Sequence, residues 1–113
     1  MIKNTIKNGM NLTKINNMKM ERKEVYKKID DERTYQDLKW GDRMEINGVK
    51  DADKPLSEWI NYIEFHLSKA KAAIYHLNAQ EAKAELRKVT AIGVRALEIH
   101  GCPDRIISND LKE

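Results

Sequence analysis

Residues 56–77, LSEWINYIEFHLSKAKAAIYHL, repeat apolar side chains at three- and four-residue steps: Leu56, Trp59, Ile60, Ile63, Leu67, Ala70, Ile74 and Leu77. Such steps return a side chain to one face of an α-helix, whereas a strand would alternate with a period of two. The stretch therefore predicts an amphipathic helix lying on a core, with Glu64, His66, Lys69 and Lys71 on its polar positions. Asp53 or Ser57 is expected to cap its start, with Pro55 tolerated in the first turn. At its far end Asn78 breaks the pattern, and N-A-Q-E places Glu81 three residues after a good N-cap, so a tight helical hairpin follows.

The next helix is predicted from about Ala79 to His100, stopped by Gly101 with Pro103 close behind. Its second half, VTAIGVRAL (89–97), is apolar nearly all round, which implies burial on several sides. Gly93 within it predicts close approach by another backbone. Upstream, Val25, Tyr26, Ile29, Arg33, Tyr35 and Leu38 form an imperfect stripe that gives a first helix from Glu21 to about Lys39, ended by Gly41. The segment between, GDRMEINGVKDADKP (41–55), carries Asn47-Gly48 and Pro55 and is read as a polar loop ending in a helix cap. Its DAD acids lack the remaining ligand positions of a calcium loop.

The fold class is thus all-α, with three main helices per chain. Three helices of this size can hardly enclose the apolar half of the last one, so a dimer or tetramer is expected to complete the bundle, with Ala91 and Val94 at the seam. The 113 residues suit one small domain: a helical body over 20–105, a basic arm over 1–19 read as flexible, and a tail over 106–113. The arm holds Lys3, Lys7, Lys14 and Lys19 with no acid, so of 21 basic residues 17 remain to face all 18 acids. A nearly neutral body gives no support for a nucleic-acid surface. Cys102 is the single cysteine, which excludes an intramolecular disulfide. No apolar run approaches the ~20 residues of a membrane span, and the N-terminus lacks the core of a signal peptide, so a cytoplasmic protein is expected.

Three stretches carry a resemblance. ERTYQDLKWG (32–41), SEWINYIEFHLSKAKAAIY (57–75) and LRKVTAIGVRALEIHGCPDR (86–105) together resemble the small, often phage-encoded branch of the MazG-like all-α NTP pyrophosphatase superfamily. The resemblance covers most of residues 21–105 and is carried by YQDLKWG and ALEIHG, neither of which is a catalytic signature. It implies an oligomeric helical fold that binds nucleoside triphosphates through magnesium and cleaves between the α- and β-phosphates. It also implies acids on two facing helices, because residues three or four apart share a helix face and two such pairs converge on one hard cation.

Here the sequence departs from that pattern. The first acidic motif of the branch falls on His66, Leu67, Ser68, Lys69 and Ala70, and the second on Glu85, Leu86, Arg87 and Lys88, so Glu85 alone matches an acidic position. Glu64 is a neighbouring carboxylate. If magnesium is bound, Glu64 and Glu85 are its ligands; two carboxylates are too few for a magnesium site that must also activate water. Lys69 and Lys88 instead stand where acids once stood, and ammonium groups contact phosphate oxygens directly. Gln36, Lys39 and Trp40 near the end of the first helix would supply stacking and further polar contacts.

Ordinary readings exist for the same residues. His66 fits a surface or satisfied core histidine, Lys69, Lys71 and Lys88 a solvated face, Trp59 the core, and Glu85 a surface ion pair. Trp40, before a glycine at a helix end, would simply seal the bundle. His100 and Cys102 alone do not make a zinc site. No glycine-rich phosphate loop and no recognisable nucleophile–base arrangement occurs, so covalent catalysis has no support.

Three functions remain open. The first is a nucleotide-binding protein with weak or absent hydrolysis, which sequesters a nucleotide or nucleotide signal and requires no cofactor. The second is a magnesium-dependent pyrophosphohydrolase. The third is a helical module that binds and inhibits a host protein.

Overall fold

A computed structural model describes residues 19–43 and 48–106, and the predicted arm before Lys19, Asn47 of the predicted turn and the tail beyond Ile106 lie outside it. The described residues form an all-helical bundle: α1 (Arg22–Lys39), a 3-10 turn (Asp51–Asp53), α2 (Leu56–Tyr75) and α3 (Ala79–His100). α3 is the central element, packing against both α2 and α1.

The helix ends follow local chemistry. Asn78 caps α3 by accepting a hydrogen bond from the Glu81 amide at 3.1 Å, and its own amide closes the hairpin onto the Ala73 carbonyl at 2.8 Å. α1 ends where the Trp40 and Gly41 amides both turn back to the Gln36 carbonyl, at 2.8 and 3.2 Å. Gly41 has φ +21°, and a Cβ there would lie 2.5 Å from the Asp37 carbonyl oxygen, so the turn has no room for a side chain. At the start of α2 the expectation of a side-chain cap fails: Pro55 occupies the N-cap and no side chain bonds there.

α2 and α3 meet through small residues. Ala73 of α2 and Ala82, Ala91 and Ala96 of α3 are buried, and Trp59 is the largest buried apolar side chain. Alanines let two helix backbones approach closely but remove little apolar area from water. Leu56, Ile60, Leu67, Ile74, Leu86, Val94 and Leu97 all stay exposed.

Several expectations are corrected by this packing. Leu77 does not continue the α2 stripe; it sits in the hairpin turn at φ +61° and is 93% exposed. Ala91 is wholly enclosed within its own chain, so it cannot lie at a subunit seam. A Cβ at Gly93 would meet nothing within 4 Å, so among the described residues no second backbone approaches it. α1 keeps only part of its predicted pattern. Val25, Tyr26 and Leu38 are exposed while Glu32 and Arg33 are buried, because α1 docks on α3 through charge pairs rather than through its apolar stripe.

Candidate ligand cleft

Residues of four elements share one cleft of about 400 Å³, large enough for a small organic ligand. α1 contributes Arg33, Gln36 and Lys39, followed by Trp40; the 3-10 turn and its exit contribute Asp51 and Lys54. On α2, Trp59, Tyr62 and His66 line it at helical spacing, and α3 adds Lys88, Ile92 and Arg95 in the same way.

Six of the eight residues singled out from sequence gather at the cleft. His66 Nδ1 lies 2.9 Å from Oε1 of Glu85, and Lys88 Nζ donates to Oε2 of the same carboxylate at 3.4 Å. Since Nδ1 faces a carboxylate it carries the proton, and Nε2 is the ring's remaining polar atom. Gln36 Nε2 donates to the Lys88 carbonyl at 3.4 Å, which ties α1 to this group. Burial pushes the Glu85 carboxyl up, but the His66 hydrogen bond and the Lys88 charge outweigh it and hold the group below the usual carboxylate range. The Lys39 ammonium lies over the rings of Tyr35, at 5.7 Å, and Trp40, at 5.0 Å.

Five of the eight predicted residues therefore line the cleft: Gln36, Lys39, Trp40, His66 and Lys88. Glu85 is buried behind the lining, joined to it through His66 and Lys88. Glu64 and Lys69 are exposed on α2 and line no part of it; the Lys69 ammonium instead covers the Phe65 ring at 4.7 Å. The residues do not fit the magnesium that the resemblance implies. Both oxygens of Glu85 are already engaged by His66 and Lys88, and among the described residues no group of three His, Cys, Asp or Glu side chains is placed to hold a metal ion.

A second group of charges at the cleft was not anticipated. Arg33 reaches across to α3, donating Nε to Glu98 Oε2 at 2.9 Å and Nη2 to Oε1 at 3.0 Å, and also grips Asp37 with Nη1 at 2.8 Å and Nη2 at 3.1 Å. Arg95 donates to Glu98 at 3.0 Å and to Asp51 at 3.1 Å, and buried Lys54 donates to Asp51 at 2.9 Å. The Glu98 bond raises the Arg33 guanidinium above its ordinary value despite burial, and Arg33 in turn holds Glu98 low. Lys54 also lies 5.3 Å over the Trp59 ring and 5.5 Å over Tyr62. Burial, with the Glu58 carboxylate behind it, pushes the Tyr62 phenol up to about 12. Trp59 is thus both core and wall, and its indole N–H finds no acceptor among the described residues.

A partial signal for this network existed. Arg33 and Asp37 stand four apart on one helix, and Arg95 lies in phase with Glu85, Lys88 and Ile92. Nothing local marked Asp51 and Lys54, which reach the network from a loop.

In comparisons with known proteins, no family model, curated sequence or solved structure matched this chain. Among the described residues, no helix is long and apolar enough to cross a membrane.

Proposed function

We propose that the chain binds a nucleotide or nucleotide-derived signal in this cleft and holds it without hydrolysis, so that its role is sequestration. One observation carries the reading: a single cleft of ligand size is lined both by exposed aromatic rings, Tyr35 and Trp40 with Lys39 over them, and by Lys88 and His66. Aromatic faces suit a base, and ammonium and imidazole groups suit a phosphate. The nucleotide itself is supplied by the resemblance to the MazG-like superfamily, and the loss of hydrolysis by Glu85, whose oxygens serve His66 and Lys88 rather than a metal.

Isothermal titration with nucleosides, mononucleotides, triphosphates and cyclic nucleotides, with and without magnesium, tests it, followed by chromatography of the recovered ligand. Intact ligand bound independently of magnesium supports sequestration. Cleavage that appears only with magnesium favours the pyrophosphohydrolase. Absence of all binding, together with a stable complex with a host protein, favours the interaction module.

We further propose that a second copy of the chain completes the core. Leu86, Gly93, Val94 and Leu97 share one exposed-to-intermediate side of α3, and the open space above Gly93 gives room for a helix from another subunit. Size-exclusion chromatography with light scattering at micromolar concentration should give a dimer or tetramer; a monomeric mass would overturn this.

A further inference from the structure

α1 is held to the rest of the chain differently from the way α2 and α3 hold each other, and we infer that it is the moving wall of the cleft. It leaves α3 as a unit while the α2–α3 hairpin stays packed, and a bound ligand keeps it closed. The undocking does not depend on what the ligand is; the closing rests on the nucleotide reading above and adds the regulation of that site.

Two observations carry the undocking. The first is what α1 buries. Its buried residues are Glu32 and Arg33, whereas Val25, Tyr26, Tyr35 and Leu38 are exposed and Ile29 is half-buried. On α2 and α3, by contrast, Trp59, Ala73, Ala82, Ala91 and Ala96 are buried. Apolar burial is the dominant force that holds helices together, and the side chains of α1 supply little of it.

The second observation is how the charge pairs of α1 are built. Across the interface Arg33 bonds Glu98 at 2.9 and 3.0 Å, and Glu32 accepts from Arg87 at 2.7 Å. Both members of the first pair also have a partner on their own helix: Arg33 has Asp37 at 2.8 Å, and Glu98 has Arg95 at 3.0 Å. Glu32 likewise faces the Gln36 amide nitrogen at 3.5 Å. When α1 leaves, these three groups keep a partner and gain water, so none is left as a buried, uncompensated charge. Arg87, with 44% of its side chain exposed, is already half in solvent. Such a local opening costs less than separating the hairpin.

Undocking opens the cleft, because α1 and its C-cap line one side of it with Tyr35, Gln36 and Trp40 and the hairpin lines the other with Tyr62, His66 and Lys88. A ligand that touches both sides binds the docked state better than the undocked one and shifts the population toward closure. Entry and release then wait on the movement of α1.

Hydrogen exchange read by mass spectrometry on the full chain tests both parts. Without ligand, 22–39 is expected to exchange at least about tenfold faster than 59–73 and 82–96, because an 18-residue helix away from α3 is marginal in water. Glu98→Gln and Arg87→Gln, neither of which lines the cleft, should each speed exchange of 22–39 several-fold and leave the hairpin unchanged. ATP, GTP, CTP and UTP and their monophosphates, at millimolar concentration, are the probes, and one that binds should slow exchange of 22–39 by about tenfold or more. Equal exchange of 22–39 and the hairpin, or variants that speed all three helices alike, would overturn the undocking. A nucleotide that binds yet leaves exchange of 22–39 unchanged would overturn the closing while the nucleotide reading stands. If none of these nucleotides binds, the nucleotide reading and the closing fall together, and the ligand-free exchange decides the undocking.

Discussion

His66 on α2 and Glu85 on α3 meet at 2.9 Å, and the carboxylate so engaged is only 3% exposed. A carboxylate in that position is stabilised in its charged form by the imidazole and by Lys88, so its removal disturbs more than one contact. Glu85→Gln keeps the size of the side chain and loses the charge. The expected cost at pH 7 is about 1.5–3 kcal/mol, the range for a hydrogen bond to a charged group. It is read from urea unfolding followed by circular dichroism.

The same pair sets a pH dependence. Glu85 and Glu98 are both held below their ordinary values in the folded chain, so the unfolded chain binds protons more readily than the folded one. Their contribution is complete above the unfolded carboxyl value of about 4.3 and is lost as pH falls through the lower folded values. The gap in stability between the wild type and Glu85→Gln should therefore narrow as pH falls below about 4.3. A gap of constant size across that fall would contradict the assignment.

Arg33 bonds two acids at once, Glu98 across the helix interface and Asp37 one turn along its own helix. Because α1 meets α3 through such groups, Arg33→Met should cost about 1.5–3 kcal/mol, the range for hydrogen bonds to charged groups, since the Glu98 and Asp37 carboxylates left behind stay partly open to water. Lysine cannot reproduce the fork, so Arg33→Lys should recover only part of it. In a double-mutant cycle, Arg33→Met with Glu98→Met should be less damaging than the sum of the single changes. Proteolysis within 22–39 should accelerate in Arg33→Met before the rest of the chain opens. Additive losses would show that the two residues act independently.

The three helices were legible because their signals are local: the apolar spacing of α2, the Asn78 cap, and the glycines that close α1 and α3. The polar character of the α1–α3 contact was not, since Arg33 lay in phase with Val25, Tyr26 and Ile29 and so read as part of an apolar stripe. Only its distant partner Glu98 reveals why a guanidinium is buried there. The His66, Glu85 and Lys88 group was found through residue-by-residue comparison with a family pattern, and their contact follows from helix phase once α2 and α3 form a hairpin. From sequence Asp51 is only an acid of the DAD triplet and Lys54 carries no signal, because a loop residue's tertiary partners leave no periodic trace. The cleft therefore combines a half that sequence pattern could reach and a half that depends on how the 41–55 loop returns to α3.

Gly41 offers a test of how the loop is launched from α1. Its φ of +21° and the 2.5 Å that would separate an alanine Cβ from the Asp37 carbonyl oxygen leave alanine no unstrained place. Gly41→Ala is expected to lose about 1–3 kcal/mol and to displace Trp40, whose neighbouring amide bonds depend on the same turn. Weakened ligand binding should accompany the loss. Tryptophan fluorescence resolves the displacement, and an unchanged spectrum with unchanged stability would show that the turn accommodates a side chain.

Leu77 presents the opposite case, a residue whose replacement should help. It holds a left-handed backbone at φ +61° in the α2–α3 turn while 93% of its surface faces solvent. A left-handed conformation costs an L-residue about 1–2 kcal/mol, and Asn bears that conformation more easily than Leu because its short polar side chain bonds locally. Leu77→Asn should therefore stabilise the chain by about 0.5–1 kcal/mol, or raise Tm by roughly 2–5 °C for a domain of this size. Glycine would relieve the same strain but enlarge the freedom of the unfolded chain, so Leu77→Gly should gain less. The comparison also bears on assembly. If Leu77 is covered by a second subunit, its apolar surface is in use there, and Leu77→Asn should lower Tm and weaken the oligomer together. A rise in Tm with the subunit number unchanged places the hairpin turn outside the subunit contact and confines that contact to the sides of α2 and α3.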